Sequence, residues 1–271
     1  MRQLTVIFLF VFFLITTGCS DYNKVLKSDD YKRKFELANE LYNDGAYARS
    51  IGLYEQVYQK SPKSGEGELA YFRIGKSYYY ERDFYMAGYF LGMFPQRFPI
   101  SPKAEESLFL SAMCSVNNSP EYVLDQQETE IAINDLQQFI DRYPNSMLID
   151  SCNNIIDRLR FKIEKKSFES VELYAKTENY RAAVSSAATF MEDFPASIYL
   201  EEAEYLLVKN SYLLALNSTN DKKLERIEDT IERYRTFVFH FPKSKKKREL
   251  KIYADSMLKM EEELRFQNSN L

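Results

Sequence analysis

Tyr143-Pro144-Asn145-Ser146 is one of four near-copies of a single phrase: aromatic residue, proline, any residue, serine. The others are Phe98-Pro99-Ile100-Ser101, Phe194-Pro195-Ala196-Ser197 and Phe241-Pro242-Lys243-Ser244, and a weaker copy, Ser61-Pro62-Lys63-Ser64, precedes them. Each copy closes a stretch with helical apolar spacing and opens another. The prolines fall 37, 45, 51 and 47 residues apart, a recurrence that predicts an array of helix pairs instead of one compact core. Such an array binds partners along its surface.

Within the array the stripes are explicit. Phe35, Ala38, Leu41 and Tyr42 space a first helix by threes and fours, and Tyr47, Ile51, Tyr54 and Tyr58 a second. Asn43-Asp44-Gly45 between them predicts a turn, with glycine taking positive φ. The pattern resembles the tetratricopeptide repeat, and the second repeat fits best. With Pro99 at position 32 of that repeat, Gly75 and Ala87 hold the small positions 8 and 20, while Tyr71, Ile74, Tyr78 and Leu91 hold large ones. In the third repeat Ala132, Leu136, Phe139 and Pro144 match, after a first helix at about 102–116 and an insertion, Asn117 to Gln127. In the fourth, Tyr180, Ala183, Phe190 and Pro195 match, after a helix of about 28 residues, about 42 Å long at 1.5 Å per residue, expected to bridge two halves. A fifth pair covers about 198–241, and a last helix at about 246–266 caps the array with a polar face of Lys259, Glu261, Glu262, Glu263 and Arg265. The expected fold is an all-α, tetratricopeptide-like superhelix of about five helix pairs plus a C-terminal capping helix.

Composition agrees with an all-helical chain. Glycine and proline number eight each, tyrosine 21 and phenylalanine 20, and tryptophan is absent. Tyrosine packs its ring while its hydroxyl stays wet, which suits an array with much surface per residue. The net charge of −4 gives no basic balance of the kind that binds nucleic acid.

The N-terminus is read as a targeting segment. After Arg2, Leu4 to Ile15 is apolar except for Thr5, the length of a signal-peptide core and short for a membrane span. Thr17-Gly18-Cys19 follows and resembles a bacterial lipobox, with Thr16 where the consensus prefers leucine. Cys19 is then the lipidated first residue of the mature chain, and the lipid is the only prosthetic group expected. Several acyl chains anchor stably where one does not. Ser20 after the cysteine is compatible with sorting to the outer membrane. An ordinary signal peptide is the other reading of this segment. Cys114 and Cys152 are expected as two buried thiols, about 10 Å apart in height on parallel helices, because a disulfide needs Cα atoms within about 7 Å.

The whole order resembles the BamD family of outer-membrane protein assembly lipoproteins, the tetratricopeptide subunit of the β-barrel assembly machinery. Its more specific phrases here are Leu124-Asp125-Gln126 with Thr129 and Ala132, running to Gln138-Phe139-Ile140-Asp141-Arg142-Tyr143, and Ser170-Val171-Glu172-Leu173-Tyr174 with Tyr180-Arg181-Ala182-Ala183. The resemblance implies a scaffold at the periplasmic face of the outer membrane. Its implied partners are unfolded outer-membrane proteins through their C-terminal segments, the barrel-forming subunit with periplasmic repeats (held by the fourth and fifth repeats) and other assembly lipoproteins. The competing reading is a tetratricopeptide lipoprotein that docks cell-wall or cell-division proteins. The expected organisation is a signal peptide over 1–18, a lipidated linker over 19–28, repeats one to three over 29–145, and repeats four and five with the long helix and the cap over 146–271.

First helices of such repeats line the concave face. Phe35, Asn39 and Tyr42 from repeat one, Phe72, Arg73, Lys76, Tyr79 and Tyr80 from repeat two, and Phe109 from repeat three predict an aromatic groove with cations. That groove suits an extended peptide ending in an aromatic residue and a carboxylate. The alternative is that half of these rings pack repeat against repeat. Lys243 to Arg248 is a basic run, read either as a solvated helix end or as a contact for an acidic partner or anionic head groups. One histidine, His240, cannot support a triad or a His-rich metal site and is read as structural, and no Gly-rich phosphate loop occurs. No enzyme activity and no metal are expected.

Overall fold

The computed structural model describes residues 21–269. The expected signal peptide and Cys19 lie outside the described residues. The stretch read as a linker is helical over 21–27. Val25 is buried in the first core cluster and Tyr22 and Leu26 pack beside it, since spacing by three and four puts all three on one face.

Among the described residues eleven helices follow and no strand occurs. They are α1 (Tyr31–Asn43), α2 (Tyr47–Lys60), α3 (Gly65–Tyr80), α4 (Phe84–Arg97), α5 (Ala104–Asn118), α6 (Gln127–Arg142), α7 (Ile149–Lys176), α8 (Tyr180–Asp193), α9 (Leu200–Leu216), α10 (Asn220–His240) and α11 (Lys247–Ser269). The class is all-α and tetratricopeptide-like. The 28-residue α7 has the length the sequence predicts. Packing divides the chain between Leu159 and Arg160, inside α7, whereas the sequence reading divides it before that helix. The reason is that Cys152, Ile155, Ile156 and Leu159 belong to a core of the first unit, while Phe168 and Val171 belong to a core of the second.

The phrase aromatic-Pro-x-Ser does three things. First, it stops a helix. Phe98, Tyr143, Phe194 and Phe241 share φ between −131° and −124° and ψ between 62° and 65°, because a following proline disfavours the α conformation. Second, it packs. Each of these rings lies 5.1–5.5 Å from the phenylalanine four residues earlier. Those four, Phe94, Phe139, Phe190 and Phe237, have no exposed surface. Third, in three of the four copies the serine latches one repeat element to another. Ser101 Oγ donates to Glu68 (2.7 Å), Ser197 Oγ to Glu164 (2.6 Å) and Ser244 Oγ to Glu201 (2.7 Å). Each also accepts the backbone N–H two residues on.

Close approach explains the small residues. A Cβ on Gly75 would sit 2.8 Å from Leu91 Cγ, so only glycine lets α3 meet α4 at that depth. Gly45 turns α1 into α2 at φ 77°, as its sequence predicts. The insertion between α5 and α6 is a built loop. Gln126 is buried, its Nε2 donates to the carbonyls of Glu121 (3.0 Å) and Leu124 (2.9 Å), and its Oε1 accepts from Thr129 (2.8 Å). Its buried amide explains why Leu124-Asp125-Gln126 and Thr129 occur as one phrase.

Cys114 and Cys152 are free and buried. Burial pushes the Cys114 thiol up to about 12 and raises that of Cys152. A raised thiol stays protonated below its folded pKa, and the thiolate is the nucleophile. Both are therefore expected to resist alkylation at pH 8 in the folded protein and to react within minutes after denaturation. Peptide mass spectrometry reads this, and rapid labelling of either in the native protein would contradict the burial.

Candidate functional site

Within the first unit, α1, α2 and α3 bring a cation into a ring of tyrosines. Arg73 on α3 donates to Asn39 Oδ1 on α1 and to Tyr54 Oη on α2 (3.0 Å), and its guanidinium lies 4.7 Å from the centre of the Tyr42 ring. Tyr54 Oη itself donates to Asn39 (2.8 Å). Asn39 is thus the acceptor that fixes both donors. Burial raises the Tyr54 pKa against the opposing pull of Arg73, and burial raises that of Tyr42 more strongly, helped by Tyr80. Both phenols are neutral at physiological pH, so the cluster carries the arginine's charge.

Tyr42, Tyr47 and Tyr80 continue the surface. Tyr47 stacks on Tyr80 at 4.7 Å and meets Tyr42 edge-on at 5.4 Å, while Tyr80 meets Tyr79 edge-on at 6.2 Å. Lys76, one turn beyond Arg73, is paired with Glu106 of α5 at 2.8 Å and lies 6.0 Å from the Tyr80 ring. Tyr80 is 46% exposed. The arrangement offers aromatic faces, one guanidinium held by neutral partners and one ammonium whose pair is solvent-accessible.

Two of the expected groove residues pack into cores, although the Lys76 ammonium still lies 5.4 Å from the centre of the Phe72 ring. Phe72 is buried against Phe94, with ring centres 5.3 Å apart, in the core between α3, α4 and α5. Phe109 packs on Phe139 at 5.5 Å beside the core of α5, α6 and α7. Phe35 is half-buried and touches Tyr54 edge-on at 6.4 Å. The alternative reading of the rings, as packing between repeats, thus applies to Phe72 and Phe109. Asn39, Tyr42, Arg73, Lys76, Tyr79 and Tyr80 do come together. The sequence reading missed Tyr47, Tyr54 and Glu106 as members of the cluster. The spacing of Tyr47 and Tyr54 on the second helix signalled only an apolar stripe, and Glu106 looks like an ordinary first-turn acid.

In the second unit His240 Nδ1 lies 3.0 Å from the carboxylate of Glu204, whose side chain is 3% exposed. The histidine supplies that buried acid with its partner, a structural position. Among the described residues no group of His, Cys, Asp and Glu could hold a metal ion, and no helix is long and apolar enough to cross a membrane.

The YfiO family, described as outer membrane lipoprotein, matches residues 27–227. The chain belongs to this family. It is accordingly a protein associated with the outer membrane. A relative, the outer membrane protein assembly factor BamD of Caulobacter vibrioides, is 23% identical over 207 residues, which cover 74% of this chain and 67% of that protein. The crystal structure of a thermophilic TPR protein of Thermus thermophilus covers 84% of this chain and 98% of its own, with 15% identity and a TM-score of 0.33. The family match starts beyond Cys19 and takes in both units up to the early part of α10.

Proposed function

We propose that this protein is a lipid-anchored scaffold of the β-barrel assembly machinery. Acylated at Cys19 and facing the periplasm, it receives the C-terminal segments of unfolded outer-membrane proteins. It also holds the barrel-forming subunit through that subunit's periplasmic repeats, beside other assembly lipoproteins, and so promotes folding and insertion. The observation that carries this reading is the family match over most of the chain, together with the named role of the Caulobacter relative.

The tyrosine cluster on α1–α3 is the proposed receiving site. An incoming carboxylate pairs with Arg73, which is already oriented by Asn39 and Tyr54, so little side-chain freedom is lost on binding. Lys76 can exchange Glu106 for the ligand at small cost, because exposed ion pairs contribute about 0–1 kcal/mol. The faces of Tyr42, Tyr47 and Tyr80 take the terminal aromatic ring. Phe72 and Phe109 act behind the site, as packing.

Purification from membranes in mild detergent tests the reading. The barrel-forming subunit is expected to come down with the protein in fixed proportion. Recovery of cell-wall or division proteins without it would replace the assembly role with the adaptor role.

A further inference from the structure

The second unit ends in a surface whose composition its own packing does not require. Successive helices α8, α9, α10 and α11 pack as neighbours and reverse direction at each turn, so the α8–α9 and α10–α11 turns share one end of this unit. Two bonds join those turns directly: Ser244 to Glu201 at 2.7 Å, and Lys246 to Glu202. Ile198, in the first turn, is 77% exposed, and Phe239, just before the second, is 83% exposed. Neither side chain contributes to a core.

Beside them runs Lys243-Ser244-Lys245-Lys246-Lys247-Arg248. Lys246 is used internally, paired to Glu202 and lying 4.8 Å from the Tyr205 ring centre. Among the described residues Lys243, Lys245, Lys247 and Arg248 make no ion pair within 4.0 Å. Three carboxylates of this end are engaged: Glu201 by Ser244, Glu202 by Lys246 and Glu204 by His240. Glu192 and Asp193, at the end of α8, are exposed and partly offset the four cations. Glu201 keeps its charge, since its serine partner is neutral, so the four cations stand out by being contiguous and without an ion pair over 243–248, not by outnumbering the acids. Lys247 and Arg248 sit in the first helical turn, where the helix dipole disfavours cations.

We propose that this end of the second unit seats on an anionic lipid surface. Ile198 and Phe239 enter the boundary between head groups and acyl chains, while the four cations meet lipid phosphates. A membrane accepts isolated exposed apolar side chains without a matching pocket, which a folded acidic partner would have to supply. The chain's family is one of the outer membrane, so such a surface is at hand. This contact is separate from any N-terminal lipid and restrains the unit that lies far along the sequence from it. Each cation near an anionic surface strengthens attachment by roughly fivefold at low salt, so the four act together and their effect falls with ionic strength.

The test uses full-length protein purified from membranes and reconstituted in vesicles. An environment-sensitive nitrobenzoxadiazole dye is placed at Phe239→Cys, or at Thr219→Cys in the α9–α10 turn on the opposite end. The parent chain, treated identically, gives the background. On vesicles of phosphatidylethanolamine and phosphatidylglycerol the dye at 239 is expected to shift to the blue and to be quenched by doxyl-labelled lipid, while the dye at 219 stays aqueous. Both signals are expected to be lost when Lys243, Lys245, Lys247 and Arg248 all become glutamine, and to weaken on pure phosphatidylcholine. Circular dichroism verifies that each variant is folded. An aqueous dye at 239 on the anionic vesicles overturns the proposal, as does a shift that survives removal of the four cations. A response that needs an added acidic protein also overturns it and assigns the surface to a protein partner. The vesicles contain no client protein, so failure here leaves the assembly role standing.

Discussion

Replacing Phe94 with alanine is expected to lower the free energy of unfolding of the N-terminal unit by about 3–5 kcal/mol, the cost of emptying a fully buried aromatic site. Phe94 has no exposed surface and meets Phe72 at 5.3 Å, Phe98 at 5.1 Å and Tyr71 at 6.4 Å. Its loss removes apolar burial and three ring contacts together. It also frees Phe98, the residue that stops α4, to move. Urea unfolding followed by circular dichroism measures the change. Phe239→Ala serves as the contrast: that ring is 83% exposed, and its loss should shift stability by no more than about 0.5 kcal/mol. A Phe94→Ala cost below about 1 kcal/mol, well under the usual range for such a site, would mean that the repeat phrase does not anchor its helix as described.

Reversing the charge at Arg73 is the second large effect. Arg73→Glu is expected to weaken binding of peptides that end in an aromatic residue and a carboxylate by tenfold or more, since a charge-assisted pair becomes a repulsion. It should also cost about 2 kcal/mol of stability, because Tyr54 Oη and Asn39 Oδ1 lose a charged partner. The two effects are separated by Lys76→Gln, which removes a cation beside the same rings but only a half-exposed ion pair from the fold. It should weaken the peptide several-fold with stability nearly unchanged. Fluorescence anisotropy of a labelled peptide, with the folded fraction measured alongside, decides between them. Lys247→Glu, in the other unit, is the comparison. Equal losses from Arg73→Glu and Lys247→Glu would rule out the tyrosine cluster as the receiving site.

Much of the architecture is legible in the sequence because its punctuation is chemical. Proline disfavours the helix at the residue before it, and the five copies mark helix ends that the structure reproduces at Ser61, Phe98, Tyr143, Phe194 and Phe241, whereas Pro95, outside the phrase, lies within α4. The stripe from Leu148 to Tyr174 predicts α7 as one helix. What spacing does not reveal is which of two neighbours a ring will choose. Phe72 and Arg73 are adjacent on α3, and counting assigns both to the groove. Phe72 instead turns to Phe94 of α4, which Gly75 admits to close range through Leu91. The groove cation, likewise, is found held by Asn39, a residue that spacing assigns to the groove without showing that it accepts from Arg73. The segment 21–27 is obscure for a different reason: only three of its residues are apolar, and their partners lie on α1 and α2.

The proline-aromatic stop has a consequence for how such a chain tolerates change. The second helix of each pair ends where a proline stands, and Ser101, Ser197 and Ser244 each reach back to a glutamate. Errors of count are therefore not inherited from one repeat to the next. A residue gained or lost in the loop around Gln126 is absorbed before Tyr143 restores the zero mark, much as a ruled margin resets every line of type. Lengths between marks can drift from 37 to 51 residues while ψ at the five stops stays between 62° and 65°. The array is open to revision one interval at a time.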